Sequence, residues 1–271
     1  MLSTHAPTAD PVASPAIAHA CGVSEATRAP VPERRASALE RQASQKVRQT
    51  LLLLAESLSP LRQVVHAGDV IHQAGESFVN LSVLNTGCVK VLGLSADGRE
   101  QVVGLKFRGD WLGFDGIATG QHACTAIAMD TGELWTLPYA ELLSACARQP
   151  MLMRVLLESM SHEIGRDRDS LMSVCTLPAD ARVAEFLRNW ARSLASCGLR
   201  ADHITLRMTR AEIGNYLGMT LETVSRALSR LARDKLIHFA EKGRREIGIP
   251  DVDALDDFMQ ARLEASVPAL Q

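Results

Sequence analysis

Aromatic residues are scarce in this chain: Phe, Trp and Tyr together make only 4% of its 271 residues. Its core must therefore rest on Leu, Val, Ile, Ala and Met. Long apolar runs are missing as well. The longest near the start is Leu51–Ala55, far short of the ~20 residues that cross a bilayer. No charged-then-apolar signal segment opens the chain. The expectation is a cytoplasmic protein with no membrane partner. The six cysteines (Cys21, Cys88, Cys124, Cys146, Cys175 and Cys197) form neither a CxxC pair nor a Cys/His ladder. Their spacing supports no zinc site and no disulfide framework, so no metal ligand is assigned. GxSxG, P-loop, HExxH and triad spacings are also absent, which speaks against an enzyme and leaves no catalytic residue to name.

What is present is an ordinary globular composition, 46% hydrophobic and 22% charged, with length for two domains. The net charge of −2 hides an asymmetry. Residues 51–150 hold 6 Lys/Arg against 10 Asp/Glu, whereas residues 201–250 hold 9 against 6. An acidic part joined to a basic part suggests that only one of them meets nucleic acid.

Residues 1–35 are rich in Ala and carry 5 of the 11 prolines; they read as a disordered tail. Helical spacing runs from Ala36 to Leu58 and stops at Pro60. Short β-rich runs follow at Gln63–His66, Leu81–Leu84, Val89–Leu94, Gln101–Phe107, Thr125–Met129 and Leu134–Leu137, with Gly turns between them. This spacing, with no crossover helices, predicts an antiparallel barrel or sandwich. After Pro138 the pattern is helical: a short helix over 139–148, then a long one from Met151 to about Thr176. The apolar stripe of the long helix runs through Met153, Leu156 or Leu157, Met160, Ile164, Leu171 and Val174, interrupted at Asp167. Such a stripe on a helix between domains suits a dimer seam, though it suits packing on its own domain too. Pro178 opens a further helix, placed in its first turn.

The segment 209–236 carries the most information. Thr209 can cap a helix burying Ile213, Tyr216 and Leu217, and Gly218 can end it. Thr220 can cap a second helix, with Glu222 and Thr223 in its first turn, that buries Val224, Ala227, Leu228 and Leu231. Two short helices around a tight Gly turn predict a helix-turn-helix. The exposed face of the second helix holds Glu222, Ser225, Arg226, Ser229 and Arg230. Arg can donate twice to guanine and Glu can accept from cytosine N4, so Glu222, Ser225 and Arg226 are the candidate base readers. A solvated intrahelical Glu–Arg pair is the plainer alternative. Thr209, Arg210, Thr220, Thr223 and Arg230 suit backbone phosphates. Beyond them, Ile237–Ala240 and Glu246–Ile249 predict a hairpin wing whose basic tip adds Lys242 and Arg244 as phosphate contacts.

The run Met208-Thr209-Arg210, Ile213 through Gly218, Thr220, Glu222-Thr223 and Ser225-Arg226 resembles the CRP/FNR family of bacterial transcription regulators, nearest its FNR and FixK branches. Gly109 through Asp115, Ala67-Gly68-Asp69 and Ala74-Gly75-Glu76 resemble the same branch. The likeness covers residues 50–250. It implies an α+β chain: an N-terminal antiparallel β-roll of the cyclic-nucleotide-binding, jelly-roll kind, a long dimerisation helix and a C-terminal winged helix-turn-helix. The implied divisions are a tail at 1–35, the β-roll with flanking helices at 36–150, the dimerisation helix at 151–177, the winged domain at 178–252 and a C-terminal helix or tail at 253–271. It also implies a homodimer on double-stranded DNA, reading a TTGA-type inverted repeat and contacting RNA polymerase to control oxygen, redox or anaerobic-metabolism genes, with Arg226 on the G, Glu222 on the opposite C and Ser225 near the outer A·T pairs. The seam would hold Met153, Leu156, Met160, Ile164, Asp167, Leu171 and Val174, with Asp167 facing its own copy and opposing dimer formation.

The sensing parts depart from the family pattern. An FNR-type [4Fe–4S] cluster needs four thiolate ligands, but the N-terminal region has only Cys21, and the family's fourth cysteine aligns with Trp135. The stretches matching the cAMP pocket, Phe114-Asp115-Gly116 and Ala123-Cys124, lack the phosphate-binding Arg, which speaks against cAMP. No cofactor is expected. The alternative is a sensor whose β-roll switches DNA binding through haem on His66, His72 or His122, through an Fe–S group on Cys21 and Cys124, or through thiol redox at Cys88 or Cys124.

Overall fold

The computed structural model describes residues 38–240 and 245–266. Helix α1 (Ala38–Ser57) buries Leu51 and Leu54 and ends before Pro60, whose ring cannot continue a helix. Eight strands follow: β1 (Leu61–Val65), β2 (Val70–His72), β3 (Asn80–Thr86), β4 (Val89–Leu94), β5 (Glu100–Lys106), β6 (Trp111–Leu112), β7 (Cys124–Ala128) and β8 (Gly132–Pro138). They form two antiparallel four-stranded sheets, in the orders β1-β8-β3-β6 and β2-β7-β4-β5.

Strand periodicity sorts the side chains of the first sheet. Leu81, Val83, Trp111, Trp135 and Leu137 turn outward onto the helices, in one cluster with Leu51 and Leu54. Leu84, Leu112 and Leu134 turn inward against Val89 and Ala126 of the second sheet. Between them Ser82 hydrogen-bonds Thr136 through their hydroxyls at 3.1 Å, so a buried polar pair is satisfied. The short strands β2 and β6 are additions to the sequence expectation. Runs of two or three residues are too brief to display an alternation.

Helix α2 (Tyr139–Arg148) leads into α3 (Pro150–Thr176), 27 residues long and so about 40 Å. The stripe on α3 divides along its length. Leu152 and Leu156 are buried in the cluster beneath the β-roll, with Met153 and Val155 packed on it. Leu156 therefore belongs to the protein's own core and corrects the seam expected of it. The side chain that faces outward there is Leu157, 57% exposed, followed by Ile164 at 50% and Leu171 at 64%. The reason is spacing: 157, 160, 164, 167, 171 and 174 alternate steps of three and four, and Leu156 lies off that line.

Helix α4 (Ala179–Ser196) has Pro178 as its N-cap, one position earlier than expected. The chain continues through β9 (His203–Thr205), α5 (Arg210–Leu217), α6 (Leu221–Arg233), β10 (His238–Phe239), β11 (Glu246–Gly248) and α7 (Asp253–Ser266), with a sheet in the order β10-β11-β9. The third strand, β9, is a further addition. One apolar cluster joins α4, α5, α6 and α7 to Cys88, Leu92, Val102, Phe107 and Met129 of the β-roll, and the described residues belong to one packed unit.

Candidate nucleic-acid interface

The two-helix corner is built from local chemistry. Thr209 and Glu212 form a reciprocal capping box: the Thr209 hydroxyl accepts from the Glu212 amide at 3.2 Å, and the Glu212 carboxylate accepts from the Thr209 amide at 2.7 Å. Two orphan amides are satisfied at once. Gly218 ends α5 in the left-handed region at φ 63°, where only Gly sits without strain. Gly214 is required for a different reason, since a Cβ there would lie 2.5 Å from the Met219 carbonyl oxygen. Arg182 of α4 donates to the Leu217 carbonyl at 2.7 Å and so satisfies the end of α5. The Thr220 hydroxyl then accepts from the Thr223 amide at 3.2 Å and starts α6.

Helix α6 buries Val224, Ala227, Leu228 and Leu231. The opposite face presents Glu222 and Arg226 to solvent, with Ser225 half-buried between them. The Glu222 carboxyl is held below its ordinary value, first by its own backbone amide, then by the Thr220 hydroxyl, and least by Arg226. It is thus ionised and turned toward the positive end of the helix. Arg226 stands one turn on, with its fork presented to solvent.

The candidate phosphate contacts separate into groups. Thr209, Thr220 and Thr223 lie at the N-termini of α5 and α6, where amides and hydroxyls gather. Arg210 lies over the ring of Phe239 in β10, 6.0 Å from its centroid, between helix and wing. Arg230 is different. It pairs with Asp180 at 2.8 Å, and Asp180 is 7% exposed at the start of α4. Arg262 approaches the same carboxylate at 3.3 Å. A carboxylate so buried needs its cations, so Arg230 helps fasten α6 to α4 while its side chain stays half exposed. Lys242 and Arg244 lie outside the described residues; the strands flanking them, β10 and β11, pair antiparallel.

One contact escaped sequence reasoning. Helix α5 docks on the hairpin of β4 and β5. Lys90 pairs with Glu212 at 2.5 Å. Asn215 accepts from the Val102 amide at 2.6 Å and donates to the Glu100 carbonyl at 3.0 Å, while Gln101 donates to the Asn215 carbonyl. Arg207 reaches Asp130 at 2.7 Å. The only signal was two polar residues, Glu212 and Asn215, on the outer face of α5.

In the β-roll, His72 and His122 stack with ring centroids 3.9 Å apart, beside Asp115. His66 lies apart, its ring 3.4 Å from the Thr131 hydroxyl. Asp115 accepts from the Ala123 and Cys124 amides at 2.8 and 3.0 Å. Cys88 is buried, and its thiol is pushed up to about 12 by that burial and, next, by Asp130. A thiolate is the reactive form, and burial disfavours it at Cys88. Cys124 is half-buried and also shifted upward, by burial first and Asp115 second. Among the described residues no three cysteines approach within ligand distance of one another, and no helix is long and apolar enough to cross a membrane.

Comparison with known proteins places these features. Residues 181–258 match the model of the Crp-like helix-turn-helix domain, and residues 62–149 that of the cyclic nucleotide-binding domain. The fumarate and nitrate reduction regulatory protein of Salmonella typhimurium is 33% identical over 194 residues, 72% of this chain and 76% of that protein. Its Escherichia coli K12 counterpart matches equally. Among solved structures, FixK2 of Bradyrhizobium japonicum aligns with a TM-score of 0.65 and 28% identity, over 74% of this chain and 97% of that one. A CRP-family transcriptional regulator from Thermus thermophilus shares the fold, with a TM-score of 0.59 and 22% identity over 75% of this chain and 100% of its own. A cyclic nucleotide fits poorly here. The amides of Ala123 and Cys124 already bind Asp115, and a phosphate approaching them would meet a carboxylate.

Proposed function

Since the chain belongs to the CRP/FNR family of transcription regulators, in its FNR/FixK branch, we propose that it binds a TTGA-type inverted repeat as a homodimer and regulates transcription by contacting RNA polymerase. The observation that carries the reading is the outer face of α6. It presents Glu222, Ser225 and Arg226 together on the N-terminal half of the helix, backed by four buried apolar residues. That half of a recognition helix is the part that meets base edges. In this reading Arg226 donates to the G of each half-site, Glu222 accepts from the C opposite, and Ser225 lies near the outer A·T pairs. Thr209, Arg210, Thr220 and Thr223 hold phosphates, joined by Lys242 and Arg244.

The exposed line on α3 supports the dimer. Leu157, Ile164, Leu171 and Val174 are 57, 50, 64 and 39% exposed, and Met160 and Asp167 complete their spacing. Apolar side chains recurring every three and four residues pack against a second copy in a two-stranded coil. Asp167, exposed on this line between Ile164 and Leu171, places like charges across the two-fold axis.

The test is fluorescence anisotropy with the full chain on a TTGA inverted-repeat duplex and on a scrambled one, over a salt series. The native protein prefers the repeat and loses affinity steeply with salt. Arg226→Ala loses about 1–3 kcal/mol on the repeat. Glu222→Ala relaxes base choice while the salt slope stays unchanged. Equal affinity of the native protein for both duplexes would sink the reading.

A further inference from the structure

Three side chains converge in the β-roll without a motif in the sequence to announce them. His72 ends β2, Asp115 lies in the 3₁₀ turn Phe114–Gly116 that follows β6, and His122 stands just ahead of β7. One ligand atom from each lies within 4.8 Å of the other two. The backbone holds them there. Gly75 donates to the His122 carbonyl at 2.8 Å, and His122 donates to the Glu76 carbonyl at 2.9 Å, which ties the turn after His72 to the loop of His122. Asp115 is anchored through one carboxylate oxygen by the amides of Ala123 and Cys124, which leaves the other oxygen turned toward His122.

His122 supplies the independent sign that something is wanted at this place. It is 7% exposed, and its Nδ1 is buried without a hydrogen bond. The nearest carboxylate oxygen, Asp115 Oδ1, stands off at 3.6 Å. A buried polar nitrogen without a partner is costly and needs an explanation. The surroundings keep the ring in place: Phe78 meets it edge-on at 5.6 Å, and His72 stacks on it with the planes 12° apart.

We propose that His72, Asp115 and His122 form a binding site for a divalent transition-metal ion of the Zn²⁺ or Fe²⁺ class. Two imidazoles and one carboxylate are the donor set such ions take, with a further position open to water. Ca²⁺ and Mg²⁺ call for oxygen donors and are poorly served. Metal–ligand bonds of about 2.0–2.2 Å call for the His72 ring to rotate out of its parallel stack on His122, so that the in-plane lone pair of each ring meets the ion. The partly exposed Asp115 side gives the ion its way in. The site does not depend on the DNA-reading proposal, as it lies in a different part of the chain.

The test uses the full chain, untagged and stripped with chelator. Zn²⁺ is titrated by calorimetry, and Co²⁺ is used as a visible-absorption probe of coordination. The expected result is one ion per chain, a Co²⁺ spectrum displaced by Zn²⁺, and a melting temperature that rises with Zn²⁺. His72→Gln, at the less buried of the two rings, weakens Zn²⁺ binding by at least about 100-fold, since loss of an outer-shell partner alone costs about 10–100-fold. Asp115→Asn, which keeps the acceptor for the two amides, weakens it as well. His203→Gln, at an exposed histidine on β9, leaves it unchanged. A stripped protein that takes up no ion at one per chain would overturn the proposal. So would a folded His72→Gln variant that binds Zn²⁺ as the native chain does.

Discussion

The two ends of this molecule are stabilised in different ways. The helix-turn-helix is assembled from neighbours in sequence: Thr209 with Glu212, Thr220 with Thr223, and Gly214 against Met219. The β-roll is assembled from distant partners: Leu61 opposite Thr136, Asn80 opposite Pro138, Val89 opposite Lys106 and Ala128. Local assembly leaves a signature that can be read along the chain, because cap, turn and buried positions keep fixed offsets. Non-local assembly leaves only an alternation, and the partner of each strand must be found in space. The same contrast applies to function. The residues proposed to read DNA occupy one helix. The histidine–carboxylate group needs three separate segments.

The comparison can be broken most directly at Gly214. Gly214→Ala pushes a methyl against the Met219 carbonyl, which is backbone and cannot rotate away. A loss of about 1–3 kcal/mol is expected, read as a lower midpoint in urea unfolding followed by circular dichroism. An unchanged midpoint would mean that the corner is less locally determined than its capping suggests. The α3 face comes next. Asp167→Ala removes the like charge from the proposed seam and is expected to tighten the dimer about tenfold, measured by sedimentation velocity over a dilution series. An unaltered dissociation constant would place Asp167 off the axis.

The smallest effect is at the join between the two regions. Lys90→Met removes the ammonium that faces Glu212, a partly exposed pair worth less than about 1 kcal/mol. Faster amide exchange along α5, with the β-roll strands unaffected, is the expected signature. The pair also responds to acid. Burial alone would raise the Glu212 carboxyl, yet Lys90 and the Thr209 amide and hydroxyl bring it below its ordinary 4.5. A carboxyl lowered in the folded state contributes stability above pH 4.5 and loses it as the pH falls through the lowered value. Exchange along α5 should therefore rise on acidification below pH 4.5, and less so in Lys90→Met.

Much of the architecture was legible in advance: α1 before Pro60, six of the eight β-roll strands, the long helix, and both caps of the helix-turn-helix. The misses share a physical cause. Strands β2, β6 and β9 have two or three residues and exist because neighbours distant in the chain pair with them. Leu156 and Leu157 are adjacent apolar residues, and nothing along the chain told which of them turns to the β-roll. Arg230 offered a positive charge on the exposed face of α6, and the buried Asp180 with which it pairs lies 50 positions earlier.

The sequence by itself determined the identity of the parts: which segments are helix or strand, where the caps fall, and which face of α6 carries Glu222, Ser225 and Arg226. These follow from short-range sterics and hydrogen bonding, whose period is set by the backbone. Tertiary structure alone decided which surfaces meet. It placed α5 on the β4–β5 hairpin through Lys90 and Asn215, turned Leu156 inward, and gathered His72, Asp115 and His122. Each of these depends on the packing of elements far apart in the chain, and contact between such elements is selected by the shape of the whole core.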